Sequence, residues 1–146
     1  MVNSIRLLSW DSAFFSKKIG QVLHLDALGI ADFDEYDLVT LKLNTDSYRC
    51  ITRAHSLGFS LVESEVVFSK QVSAVSANEI SGTSIAAGQD IEKLKEIAAG
   101  AYSLSRYRLP YFDDSDRERF YSTWIENAVT GEFDDICLVV REQSRS

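Results

Sequence analysis

Ser103 to Val129 reads SLSRYRLPYFDDSDRERFYSTWIENAV, and its interpretation decides the fold. Four arginines (Arg106, Arg108, Arg117, Arg119) and six aromatics (Tyr107, Tyr111, Phe112, Phe120, Tyr121, Trp124) share it with Pro110, the chain's one proline. Proline lacks the backbone donor and its ring clashes with the preceding turn, so a helix cannot run through it. The stretch therefore divides into a helix end, a loop over Ser105–Asp114 and a second helix. Ser115-Asp-Arg-Glu118 fits a capping box, in which serine and glutamate satisfy each other's free amides. Phe120, Tyr121, Trp124, Ile125, Ala128 and Val129 recur at helical spacing, a stripe read as core and not as a cofactor box. Gly131 supplies the stop.

Outward from that stretch the pattern stays regular. Asp90 is expected to cap a helix over IEKLKEIAAGAY, with Ile91, Leu94, Ala98 and Ala101 on one face. Thr83–Ala87 reads as a short strand and Gly88 as a turn glycine. Ile136–Arg141 reads as a closing strand, followed by a polar tail. The order is strand, helix, helix, strand over 82–146.

Upstream, the Ser-, Ala- and Gly-rich stretch 71–89 marks a lobe boundary near Ser73–Ser81, giving a first lobe over 1–76. Ile5–Trp10 is expected as a strand, then a turn or helical start near Asp11 and Ser12. GQVLHLDAL alternates Val22 and His24 against Leu23 and Leu25, so His24 reads as a packing residue of a strand. DEYDLVTLKLN sets Val39, Leu41 and Leu43 to one side. Thr45 or Asp46 is expected to cap a helix from Ser47 to Leu57, ended by Gly58. FSLVESEVVFSK alternates Val62, Val66 and Phe68 inward against Glu63 and Glu65 outward, so the two glutamates read as the solvated face of a strand and not as catalytic carboxylates. The fold class is α+β, a mixed sheet with flanking helices in two small lobes.

Composition excludes several functions. The 146 residues are 45% hydrophobic and carry a net charge of −7, which opposes general nucleic-acid binding. No apolar run approaches the ~20 residues of a membrane span. MVNSIRLLSW has no basic region leading into an apolar core, so no signal peptide is expected and the cytoplasm is the default. Cys50 and Cys137 read as buried, reduced thiols. His24 and His55 have no zinc-ligand spacing around them, so no metal is expected. No nucleophile elbow, G-x-G-x-x-G or phosphate-cradling glycine loop occurs.

Three stretches together carry a family likeness: WDSAFFSKKIGQV, SLGFSLVESEVVFSK, and DIEKLKEIAAGAYSLSRYRLPYF with RFYSTWIENAVTGEFDDICLVVRE. The chain resembles, from Trp10 to Glu142, the dTDP-fucosamine acetyltransferase group of the GNAT superfamily. The stretch from Asp90 to Glu142 is the most specific, and this half looks like the opening of a GNAT domain. DLVTLKLNTDSYRCITRAHSLGFSLVESEVVFSK is in turn similar to the closing segment of such a domain.

The resemblance implies transfer of an acetyl group from acetyl-CoA to the amine of a dTDP-linked 4-amino-4,6-dideoxy sugar. In that family the amine attacks the thioester directly, backbone amides polarise its carbonyl, and a late tyrosine protonates the leaving thiolate. The cofactor pyrophosphate is held there on a glycine loop at a helix N-terminus. The usual Arg/Gln-x-x-Gly-x-Gly/Ala pattern is absent from this sequence, and the family's chain continues past this one. The expectation is thus part of a sugar-nucleotide N-acetyltransferase lacking the acetyl-CoA-binding half and inactive alone. No cofactor and no catalytic residue is assigned to this chain. The alternative is a stand-alone binding or dimerisation module.

In such folds the loop between the first two helices shapes the acceptor pocket. Arg106 and Arg108 are then candidates to pair with a nucleotide diphosphate, because guanidinium matches phosphate oxygens in a fork. Tyr107, Tyr111 and Phe112 are candidates to stack on a base or sugar face. The competing reading pairs the arginines with Asp113, Asp114 and Asp116 and uses the aromatics to cover the helix junction. A free strand edge at Ile136–Arg141, or the nearby helix face, predicts a homo-oligomer.

Overall fold

The structure is a computed structural model, and it describes residues 4–71 and 82–141. Its contacts gather into two compact units, Met1–Val62 and Glu63–Ser146. The lobe boundary expected at Ser73–Ser81 lies outside the described residues. The secondary structure is mixed, as expected of an α+β chain: a three-stranded sheet, a two-stranded sheet and four α-helices among the described residues.

In the first unit β1 (Ile5–Leu7) is followed by α1 (Ser9–Phe15), β2 (Ile19–Val22), β3 (Leu38–Thr40) and α2 (Tyr48–Ser56). β2 is central, antiparallel to β1 with Ile5 opposite Val22, and parallel to β3 with Gly20 opposite Val39. Ser12 fixes the entry to β2, its Oγ accepting from the Ile19 amide at 3.0 Å. Ile5, Val22, Leu25, Leu28, Ala54 and Leu57 form the buried core, with Val39, Leu41 and Leu43 packed against it. Gly20 permits the closest approach: a Cβ there would lie 2.6 Å from Ile5 Cγ2 and 2.8 Å from the Tyr36 ring.

Several expectations shift here. The strand expected over Ile5–Trp10 ends at Leu7, and Trp10 lies in α1, stacked on Phe14 one turn later with centroids 4.9 Å apart. The strand expected through His24 ends at Val22, because the backbone coils into a 3₁₀ turn at Leu25–Ala27 that buries Leu25. His24 is consequently exposed and not a packing residue. α2 starts behind Ser47, whose side chain makes no capping bond, so neither Thr45 nor Asp46 heads the helix. Gly58, at φ 87°, follows the helix as expected.

The largest departure is FSLVESEVVFSK. Residues 59–71 belong to no sheet; of the side chains expected inward, Val66 and Phe68 are exposed, Phe68 by 91%, and Val62 is half-buried. Alternation alone does not make a strand, because its amides and carbonyls need a neighbouring strand to bond.

In the second unit β4 (Thr83–Ile85) leads into a 3₁₀ turn (Gly88–Asp90), α3 (Ile91–Ala101), α4 (Asp114–Thr130) and β5 (Leu138–Val140). β4 and β5 pair antiparallel, with Ile85 opposite Leu138 and Thr83 opposite Val140. α3 and α4 pack on each other, and Lys95 bonds Glu126 across them at 2.9 Å. That bond raises the Lys95 pKa above the ordinary lysine value. Tyr102, just past α3, stacks on Tyr121 of α4 at 4.1 Å. Ala98, Tyr121 and Ala128 are buried, whereas Ala101 is exposed. Gly131, at φ 81°, ends α4.

The caps differ from expectation. Asp113, not Ser115, heads α4: its Oδ1 accepts from the Asp116 amide at 2.8 Å, and Ser115 donates to the same carboxylate. An aspartate accepts without needing to orient a hydroxyl, so the earlier residue takes the cap. Asp90 does not cap α3. Its carboxylate accepts from the Ala87 amide and forms a two-point fork with the Arg141 guanidinium, both N–O distances 2.9 Å. Arg141 and that amide hold the Asp90 pKa below the ordinary carboxylate value, and Asp90 in turn raises that of Arg141. Cys50 and Cys137 are free and half-buried.

Candidate functional site

Residues 102–113 join α3 to α4, and the loop is organised by its own short bonds. The Ser105 amide donates to the Tyr102 carbonyl at 3.1 Å, closing the first turn after α3. Ser105 is buried and its Oγ accepts from the Tyr107 amide at 3.2 Å. The Tyr111 and Phe112 amides both donate to the Arg108 carbonyl, at 3.0 and 3.1 Å. Arg108 turns its guanidinium back on the loop and donates to the carbonyls of Leu104 and Ser105. Leu109–Pro110 is a cis peptide.

Beneath the loop lies a cluster of rings. Tyr107 and Phe112 are each 5% exposed and meet edge to face at 5.3 Å. Tyr107 also packs on Phe120 at 4.1 Å and Tyr121 at 6.2 Å. Offset and edge-to-face ring pairs of this kind add to the burial they provide. Phe120 and Tyr121 come from the α4 stripe that sequence periodicity identified, so the same helix face that closes the unit also floors the loop.

Arg106 rises from this floor. Its guanidinium donates to the Tyr107 hydroxyl at 3.0 Å and to Glu63 at 3.3 Å, and its carbon stands 4.8 Å from the Tyr107 ring centre. Its side chain stays half-exposed. Partial burial opposes the charge, but Tyr107 and Glu63 together outweigh it and raise the Arg106 pKa. Asp114 and Asp116 hold Arg117 and Arg119 at 2.7 and 2.9 Å, one turn along α4.

The five residues singled out from the sequence thus share one loop in two layers. Tyr107 and Phe112 are buried below, while Arg106, Arg108 and Tyr111 lie at or near the surface. Sequence reasoning missed Ser105, which anchors the turn, and Glu63, which orients Arg106. Glu63 stands 43 residues away from Arg106, and no local pattern links residues so distant.

Asp90 stands at the start of α3, and Asp113, Asp114 and Asp116 crowd the start of α4. At α4 the Asp113 carboxylate answers the positive end of the helix dipole, while that of Asp90 is taken up by Arg141. Among the described residues no group of three or more His, Cys, Asp or Glu is placed to hold a metal ion. No described helix is long and apolar enough to cross a membrane.

No protein-family model matches the chain. Over 144 residues, 97% of its length, it is 35% identical to dTDP-fucosamine acetyltransferase of Escherichia coli O6:H1, and it spans 63% of that protein. The chain is accordingly similar to a dTDP-fucosamine acetyltransferase along nearly its whole length, and spans less than two thirds of that protein.

Proposed function

We propose that this chain supplies the amine-acceptor side of a sugar-nucleotide N-acetyltransferase. The observation that carries the reading is the 102–113 loop, where Arg106 stands over Tyr107 of a buried ring cluster and Arg108 is folded onto the loop carbonyls, in a chain similar to a dTDP-fucosamine acetyltransferase. Arg106 and Arg108 would hold the diphosphate, since guanidinium forks match its oxygens. Tyr111 would lie against the base or sugar face, and Tyr107 and Phe112 would set the floor. Acetyl-CoA, the donor of the resembling family, is assigned no residue here. The chain by itself is expected to bind the acceptor without acetylating it.

The test is calorimetric titration with a dTDP-4-amino-4,6-dideoxy sugar, beside an acetylation assay with acetyl-CoA. Binding that weakens about tenfold in Arg106→Ala supports the acceptor role, the size expected for a lost bond to a charged group. Absence of binding in the unaltered protein refutes it. Acetyl transfer by this polypeptide alone would show instead that the donor also binds.

One further observation favours a role in association. Ile85, Leu138 and Val140 share a face of the β4–β5 sheet and are all exposed, Val140 by 76%. We propose self-association through this strand or the helix face beside it. Light scattering that reports a monomer as concentration rises would refute that part.

A further inference from the structure

The first unit carries a groove that the acceptor reading does not use. It has a volume of about 720 Å³ and is lined by Asp26 and by Tyr48, Arg49, Thr52, Arg53 and Ser56 of α2. The helical repeat makes this set one face, since 48, 52 and 56 fall in one row and 49 and 53 in the next. The opposite face carries Ala54 into the core, with Cys50 packed against it, so these polar side chains are displayed by a seated helix.

Two features separate this face from an ordinary solvated one. Arg53 is held: its Nη2 donates to the Leu28 carbonyl at 2.6 Å and its Nη1 to Ser56 Oγ at 3.4 Å. Arg49, one turn earlier, has no hydrogen-bond or ion-pair partner among the described residues, while Arg6, Arg106, Arg108, Arg117, Arg119 and Arg141 each have one. In a chain of net charge −7, an unanswered guanidinium beside a fixed one is a local reversal of sign. Tyr48 adds an aromatic side chain, 81% exposed, to the lining.

We infer that this groove binds a phosphorylated small molecule bearing an aromatic ring, the chemistry of a nucleotide. The phosphate lies between Arg49 and Arg53, the ring lies on Tyr48, and Thr52 offers a hydroxyl. Asp26, also in the groove, is placed to accept from a ligand hydroxyl and disfavours an anion carrying no donor of its own. This inference stands or falls independently of the acceptor reading.

Backbone amide shifts of the full chain, titrated separately with thymidine diphosphate, adenosine diphosphate, pyrophosphate and thymidine, test it. Expected is saturable movement of the Tyr48–Ser56 amides with both diphosphate nucleotides, weaker movement with pyrophosphate and none with thymidine. Arg49→Ala should weaken that binding about tenfold. Arg49 has no partner to lose, so the thermal midpoint should hold. Arg49→Lys should recover only part, because a point charge lacks the fork. Shifts confined to residues 105–112, or no saturable shift at Tyr48–Ser56, would overturn the inference and leave an ordinary solvated face. Binding unchanged by Arg49→Ala would overturn it as well.

Discussion

The two units solve the problem of a small core differently. The first closes aliphatic side chains from a three-stranded sheet and from α2 around Ile5, Val22, Leu25, Leu28, Ala54 and Leu57. The second is held by rings, with Tyr102, Tyr107, Phe112, Phe120 and Tyr121 joining α3, the loop and α4. Aliphatic cores rely on area removed from water and on tight fit. A ring cluster adds orientation, because edge and face carry opposite partial charge. An oriented cluster suits a unit whose working part is a loop: it fixes where Arg106 stands without needing regular structure there.

That contrast can be broken most directly at Tyr107. Removing a ring that is 5% exposed and touches three others should cost about 4 kcal/mol. Hydrogen exchange should show the loss concentrated in α3, α4 and the loop, and equal loss in the β2 amides would dissolve the distinction between the units. The matching change in the first unit is Gly20→Ala. Its new methyl would stand 2.6 Å from Ile5 Cγ2, so a cost of about 2 kcal/mol is expected in denaturant melts. A neutral result would mean that the aliphatic core yields more readily than tight packing implies.

The smallest effect is expected at Asp90. Folding lowers its pKa, so the Arg141 fork contributes stability above the ordinary carboxylate value of 3.8 and loses it as pH falls toward the folded value. Thermal melts of Asp90→Asn should therefore fall below the unaltered protein at neutral pH and converge with it in acid. Added salt should narrow the gap, since Arg141 is half-exposed. A gap independent of pH would assign the loss to packing and not to charge.

The two regions also differed in how far they could be read in advance. Helices announced themselves well. The α4 stripe, the stop at Gly131 and the span of α2 are local patterns, because residues three and four apart share a face whatever else the chain does. The caps were less legible: Asp113, Ser115 and Asp90 are all good capping residues, and which of them caps depends on where a competing partner stands. Arg141, 51 residues from Asp90, was that partner.

Strands were read least well. FSLVESEVVFSK alternates cleanly and still belongs to no sheet, while the quieter LVT of β3 found a parallel neighbour in β2. A strand's bonds are made by another segment, so alternation states a capacity and only a partner realises it.

By itself, then, the sequence determined the class of elements, the helical faces, the loop bearing Arg106 and Arg108, and the likeness to an acetyltransferase. Only the tertiary structure decided that Tyr107 and Phe112 lie beneath that loop, that Glu63 aims Arg106, and that Arg49 stands unanswered beside Arg53. The first group rests on interactions within a turn or two of chain. The second rests on contacts across long stretches of sequence, where burial and charge are settled by whatever folding brings near.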